Sequence, residues 1–326
     1  MSQGPAEPPV RVLYIGGLGR SGSTLIERLI GQLPGVCAVG ELVHLWERGV
    51  TDDERCGCGE PFRQCPFWLQ VGKTAFGGWG EVDLSRVAAL RAQVDRNRFI
   101  PALARRRLRP AMRQRLTEYT SYYARVYAAV AQVSGCDLVV DSSKHPSLAF
   151  CLRWSPGVDL RVLHVVRDPR AVAYSWSRQV LRPDTDRPSY MTKYSAATAA
   201  MQWDVQNAAF YLLARIGCPA MRLRYEDFTA EPERALRRVA GFAGLPDRAS
   251  YPFLTSAATP SGVASVSARL GGGHSVSGNP MRFTTGLVPI SRDEQWRTRM
   301  PRSQQQVVTA LTWPLMAGYG YLGAQS

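Results

Sequence analysis

The run "VRVLYIGGLGRSGSTLIERLI", residues 10 to 30, constrains the fold more than any other stretch. Its first part is short and β-branched and is ended by glycines, which reads as a buried strand. From Thr24 onward, Leu25, Ile26, Leu29, Ile30 and Leu33 recur at helical spacing. The glycine-rich segment between them approximates the phosphate-cradling pattern G-x-x-x-x-G-K-[ST], in the strand-to-helix context that pattern requires. Gly17, four residues and Gly22 are in place, but Ser23 stands where the lysine belongs, followed by Thr24. A helix start offers backbone N–H groups and a favourable dipole to an anion whether or not a lysine is present. An anion seat is therefore expected, with no group positioned for a γ-phosphate.

Three further apolar runs read as buried strands: "CDLVVD" (136 to 141), "LRVLHVVRD" (160 to 168) and "AMRLRYED" (220 to 227). "GVCAVGE" (35 to 41) reads as a shorter one. Helical patterns separate them. Met191, Tyr194, Thr198, Met201, Val205, Ala208 and Leu212 fall on one helical face, and Leu236, Val239, Ala240 and Ala243 on another. Strands alternating with helices predict an α/β fold: a central parallel sheet with helices on both faces, a P-loop-like three-layer sandwich. The expected organisation is one domain over 1–326. It comprises a loop unit (10–41), an inserted Cys-containing and helical cap (42–135) and the remaining α/β core (136–326). In the insertion, Leu116, Tyr119, Tyr123, Val126, Val130 and Val133 share a helix face. Ligands of such sheets bind at the carboxyl ends of the strands, so the insertion is placed to roof an acceptor pocket.

A formal net charge of +14, carried mainly by arginine, suits a phosphate- or sulfate-bearing ligand. The arginines are dispersed and no nucleic-acid reading module is evident, so nucleic acid is not the expected partner. "RRRLRP" (105 to 110) reads as a solvated face, with contact to an acidic substrate or a membrane surface the lesser alternative. No apolar run approaches the roughly eighteen residues of a membrane span. "MSQGPAEPP" has no signal-peptide pattern, so a cytoplasmic location is expected. Seven cysteines then argue against a disulfide framework. Cys56, Cys58 and Cys65 cluster in "CGCGEPFRQCPFW". They read as free thiols in a compact loop. A zinc site would need a fourth ligand, with His44 or Cys37 as candidates.

At the end of the 160–168 strand, Arg167 precedes Asp168 as a helix N-cap and Pro169 at the first helical position. Ser175 follows Arg167 by eight residues. An arginine fork with a hydroxyl makes a second anion seat. With the loop "RSGST" (Arg20 to Thr24), this spacing resembles the sulfotransferases that use 3′-phosphoadenosine 5′-phosphosulfate. It is most similar to their bacterial and Golgi-type branches. "AVGELVHLW" with Glu41, "LRYEDF" with Tyr225, Trp203 with Asn207, and "HSVSGNPMRF" (274 to 283) are similar to segments of that family.

The resemblance implies a transferase moving a sulfuryl group from that donor to a hydroxyl of a small molecule, carbohydrate or lipid, without a metal. It implies donor contacts from Gly19, Arg20, Ser21, Gly22, Ser23, Thr24 and Leu25, and from Arg167, Ser175 and Tyr225. Ser277, Gly278, Asn279 and Arg282 would complete the nucleotide site. Such a donor has no γ-phosphate, which accounts for the missing lysine; Arg20 can neutralise the 5′-phosphate instead. A hydroxyl acceptor must lose its proton, and Glu41 is the candidate base, with His145 second and His44 third. Lys144, in "VVDSSKHPS", would stabilise the leaving group or the transferring sulfonyl. The alternative is a P-loop kinase or NTPase, with Asp141 as the magnesium-holding carboxylate and Thr24 as the magnesium hydroxyl. A basic, non-catalytic surface binder is a third reading. The aromatic residues of the insertion, Trp46, Trp68, Trp79, Tyr119, Tyr122 and Tyr123, suit either a sugar or lipid pocket or a core.

Overall fold

The computed structural model describes residues 8–184, 189–258 and 264–323; the beginning of "MSQGPAEPP" lies outside them. Five parallel strands form the central sheet: β1 (Val10–Gly16), β2 (Val36–Gly40), β3 (Leu138–Lys144), β4 (Val158–Val166) and β5 (Ala220–Arg224). Their order is β2-β3-β1-β4-β5. Successive residues of β1 serve opposite faces, as the strand period demands. Val12 and Tyr14 enter one apolar cluster, Leu13 and Ile15 another, and all four are fully buried. Burying a side chain of the Leu or Ile class contributes about 1.5–3 kcal/mol, so covering both faces fixes the strand's register and direction.

The first face is covered by the insertion. Its long helix Pro110–Ser134 buries Leu116, Tyr119, Tyr123, Val126 and Val130, while Val133 is half-buried. Trp68, Tyr119 and Tyr123 are fully buried there and Trp46 nearly so; Trp79 and Tyr122 pack partly buried against them. The second face is covered by the helices Ser23–Ile30 and Pro232–Ala243. A three-stranded antiparallel sheet, Leu254–Ala258, Ala264–Leu270 and Gly286–Ile290, adds Ala268, Leu270 and Ile290 to that cluster. The sequence reading assigned no strands there, because "LTSAA" and "ASVSARL" are too poor in large apolar residues to stand out.

One helix differs from its expected face. In Ala196–Arg215 the buried residues are Ala199, Ala200, Trp203, Asn207, Ala209, Phe210 and Leu213. The apolar stripe read from the sequence is turned outward: Met201 and Val205 are 54% and 55% exposed, and Leu212 is exposed too. The small alanines allow close packing on the other side, and Asn207 is carried inward by a hydrogen bond between its side-chain oxygen and His164 Nε2 at 2.7 Å.

Candidate active site

Parallel pairing brings the carboxyl ends of the strands to one edge, and the sequence attaches a chemically useful residue to each. Gly16 pairs with Lys144, and Gly40 with Asp141. Glu41 follows β2, Lys144 ends β3 and Arg167 follows β4.

After β1 the chain makes a tight loop into the helix Ser23–Ile30. Gly22 caps it at φ 85°, and a Cβ there would lie 2.3 Å from the Tyr225 ring. Only glycine fits both the backbone and the space. Gly17, at φ 125°, is held equally close to Val165 O. The N–H groups of Ser23, Thr24 and Leu25 open this helix, and a helix start lacks intrahelical partners for such groups. They line a cavity of about 370 Å³ with Gly19, Arg20, Gly22, Arg167, Ser175, Tyr225 and Asn279. Among the described residues Arg20 Nε is buried without a hydrogen-bond partner. The guanidinium lies over the Trp176 ring, 5.2 Å from its centroid. An unpaired buried donor on a cavity wall fits an anionic occupant.

Arg167 is 7% exposed. It donates to Arg20 O (3.1 Å) and Asp293 O (2.9 Å), and its carbon Cζ sits 4.6 Å from the centroid of the Tyr225 ring. The Asp293 carboxylate approaches Nη2 at 3.4 Å. Asp168 caps the helix Pro169–Ser177 as expected, accepting from the Arg170 N–H at 2.8 Å.

A second cavity, of about 560 Å³, adjoins the first. Gly19, Glu41, Lys144, Trp176 and Met191 line both. Glu41 and Lys144 thus stand at the junction, with Lys144 Nζ 2.5 Å from Glu41 Oε1 and 2.9 Å from Ser142 O. Lys144 adopts φ 65°, a left-handed strand ending that turns its side chain away from the regular ladder. Beneath it, Glu27 is wholly buried and accepts from the Gly40 N–H (2.6 Å) and the Ser142 hydroxyl (2.7 Å). Burial pushes its carboxyl up to about 7. The larger cavity is further lined by His44, Arg48, His145, Met201, Gln202 and Val205. Met201 and Val205 are therefore wall rather than core. Burial holds both His145 and His44 in the neutral form, His44 down to about 2.

Four expected donor residues take other places. Arg282 is 2% exposed and donates to Ser275 O (2.7 Å) and Arg55 O (2.6 Å), so it ties loops together and lines neither of these two cavities. Ser277 is buried and accepts from Arg48 Nη1 at 2.8 Å. Ser21 is buried within the loop, outside both cavities. Gly278 lines the larger cavity, against Glu41. Sequence reasoning missed Trp176, Met191, Met281 and Asp293, which complete the smaller cavity. Trp176 directly follows Ser175 and was findable as the next residue on the same helix turn; Asp293 had no local signal.

Asp141, the carboxylate of the kinase alternative, lies outside both cavities. It is fully buried and accepts from the Tyr127 hydroxyl at 2.6 Å and the Ser143 N–H at 2.8 Å, and burial raises it to about 6. Its oxygens are committed to partners in the core and face neither cavity. Removing this carboxylate from the loop leaves the lysine-less loop, the Arg167 fork and the Glu41–Lys144 junction as the chemistry of the edge.

The sequence profile described as "Sulfotransferase family" matches residues 13–249. The chain belongs to the sulfotransferase family. No curated protein matches the sequence. Among solved structures, this sulfotransferase is similar to the "Sulfotransferase Domain from the Synechococcus PCC 7002 Olefin Synthase". Identity is 19% and the TM-score 0.50, over 97% of this chain and 98% of that one. It is also similar to the "Sulfotransferase Domain from the Curacin Biosynthetic Pathway", at 15% identity and a TM-score of 0.43, over 94% and 98% of the two chains. The first likeness is one of fold, the P-loop-like α/β architecture.

Proposed function

We propose that this sulfotransferase moves a sulfuryl group from 3′-phosphoadenosine 5′-phosphosulfate to a hydroxyl of an acceptor held in the larger cavity. The observation that carries the reading is the Glu41–Lys144 pair on the wall common to both cavities. In this reading the 5′-phosphosulfate lies on the Ser23–Leu25 N–H groups and Arg20, while the 3′-phosphate takes the Arg167 fork and the Ser175 hydroxyl.

Sulfuryl transfer, like phosphoryl transfer, asks the protein mainly to align the reacting groups and stabilise spreading charge. The acceptor oxygen attacks sulfur from the larger cavity, opposite the bridging oxygen. The new oxygen–sulfur bond forms as the bond to the bridging oxygen breaks, and the acceptor proton passes to a Glu41 oxygen. Charge left on the departing 5′-phosphate is met by Lys144 and Arg20. Lys144 holds Glu41 in place until the donor arrives. His145 lines the larger cavity edge-on to His44, and burial lowers its affinity for a proton, which makes it the weaker base candidate. Acceptors that fit the Met201–Val205 wall and the Gln202 amide combine an apolar body with a hydroxyl.

The test is transfer of radiolabelled sulfate from the donor to a library of sugar, phenol and alkyl-alcohol acceptors, with and without magnesium. Label on at least one hydroxyl acceptor, at equal rates in both buffers, is expected. Strict magnesium dependence, or no labelled product from any class, contradicts the reading.

A further inference from the structure

Cys56, Cys58 and Cys65 lie in the insertion, and His274 comes from the segment leading to Gly278 more than two hundred residues later. Their ligand atoms all lie within 4.8 Å of one another. Cys65 Sγ is 3.3 Å and Cys56 Sγ 3.9 Å from His274 Nδ1, and Cys58 Sγ is 3.7 Å from Cys65 Sγ. Bonds of about 2.3 Å to sulfur and about 2.0 Å to nitrogen put the ligand atoms of a tetrahedral zinc site roughly 3.5–3.8 Å apart. The observed separations bracket that range. The residue gathered with the three cysteines is thus neither His44 nor Cys37, the two candidates suggested by the sequence, but a histidine that only the fold brings near.

The surroundings are those of a built site. The His274 ring stacks on Phe67, centroids 4.8 Å apart at 13°, which fixes its orientation. Trp68 Nε1–H donates to His274 O at 2.8 Å, Gly57 N–H to Ser275 O at 3.0 Å, and Cys56 N–H to Glu60 O at 2.8 Å. A Cβ on Gly57 would lie 2.5 Å from Ser275 Oγ, so the cysteine knuckle and the 273–275 segment are pressed together. The buried Arg282 guanidinium interacts electrostatically with Cys56 and donates to Arg55 O at 2.6 Å. It is placed to offset the net single negative charge of three thiolates and a neutral histidine around a divalent ion.

We propose that Cys56, Cys58, Cys65 and His274 bind one structural zinc ion that fastens the inserted cap to the loop carrying Gly278. Four protein ligands leave no open position, so the ion is closed to chemistry and serves as a clamp. On binding, the three thiols lose their protons to solvent and the imidazole coordinates through Nδ1. The clamped segment matters to the site. Val276 N–H donates to Val39 O (2.8 Å), Glu41 N–H to Val276 O (2.7 Å), and Gly278 lies against the Glu41 carboxylate. The zinc therefore secures the segment whose Val276 bridge fixes the backbone of Glu41.

Elemental analysis of the full-length protein purified under reducing conditions tests this without any transfer assay, so its outcome is independent of the reaction proposed above. About one zinc per chain is expected, falling below about 0.2 in Cys58→Ser and in His274→Ala. Cys58 is the exposed ligand, so Cys58→Ser is the variant chosen to keep the fold, with circular dichroism as the check. Cobalt(II) added to the reduced apoprotein should give the intense d–d bands of a tetrahedral ion and a thiolate charge-transfer band. In hydrogen exchange, metal removal should speed exchange of the Val276 and Glu41 amides while leaving β4 unchanged. Substoichiometric zinc together with no cobalt spectrum, or a Cys58–Cys65 disulfide found by mass spectrometry in the reduced preparation, overturns the proposal.

Discussion

Lys144 Nζ lies 2.5 Å from Glu41 Oε1 although the two residues are 103 positions apart. Parallel pairing of β2 with β3 places both at one sheet edge, where two cavities meet. A carboxylate so placed can take a proton from one cavity while its ammonium partner serves the other. Glu41→Gln keeps the size of the side chain but removes the proton acceptor. A loss in kcat of about 10² to 10⁴-fold is expected, with donor affinity changed less than about threefold. The loss should be greatest for an alcohol and smaller for an acidic phenol, which needs less help in losing its proton. Equal slowing of both acceptors in single-turnover assays would remove Glu41 as the base.

The second anion seat makes a different demand. Arg167→Ala should weaken adenosine 3′,5′-bisphosphate by about 2 kcal/mol or more, because charge-assisted bonds to a buried fork are strong. Adenosine 5′-phosphate should lose much less. Asp293→Asn keeps the backbone acceptor at 2.9 Å but removes the carboxylate 3.4 Å from the fork, and should tighten the bisphosphate. Calorimetry showing equal losses for both nucleotides in Arg167→Ala would mean that the arginine does not read the 3′-phosphate.

Met201 and Val205 supply a prediction that their sequence pattern alone would reverse. An apolar stripe at helical spacing is normally core, and its truncation would destabilise. Here both side chains are more than half exposed and face the larger cavity. Met201→Ala and Val205→Ala should each change stability by less than about 0.5 kcal/mol while raising the acceptor KM. Donor affinity should stay constant. A large fall in Tm with unchanged KM would return the stripe to the core.

Glu27 links the site to pH. Its carboxyl ordinarily titrates near 4.5, and burial raises it in the folded chain to about 7. The folded state therefore holds the proton more tightly than the unfolded state. The associated stability is fully present below about pH 4.5 and is lost as pH rises through about 7, amounting to about 3 kcal/mol at most. Glu27→Gln is uncharged throughout, so its Tm should gain on wild type between about pH 5 and pH 8. Parallel Tm curves would show that Glu27 does not hold a proton in the folded state.

How much of this was legible in the sequence follows from the range of the interactions concerned. The loop from Gly17 to Thr24, and the Arg167, Asp168 and Pro169 turn, are local, and residue type with spacing identifies them. The sheet's strands are legible because burial on both faces demands continuous apolar runs. The exposure of Met201 and Val205 is not legible in the sequence, because a cavity wall and a core present the same periodicity. Arg282 resembles a ligand-binding arginine by its neighbours in sequence, but its carbonyl partners come from Ser275 and from Arg55, 227 positions away. His274 is invisible as a partner of Cys56, Cys58 and Cys65 for the same reason. Asp141 follows an apolar strand as a magnesium-holding carboxylate would, and only the Tyr127 hydroxyl and the Ser143 amide reveal that its oxygens are already committed.

The central claim is that the edge binds a sulfuryl donor through two separate anion seats without a divalent ion. Calorimetric titration of the wild-type chain with adenosine 3′,5′-bisphosphate in magnesium-free buffer, set beside ATP with magnesium, tests it most directly. The account predicts one bisphosphate per chain, bound with the same affinity when magnesium is added, and ATP with magnesium bound at least about tenfold more weakly. Tighter binding of ATP with magnesium, with little or no affinity for the bisphosphate, would contradict it.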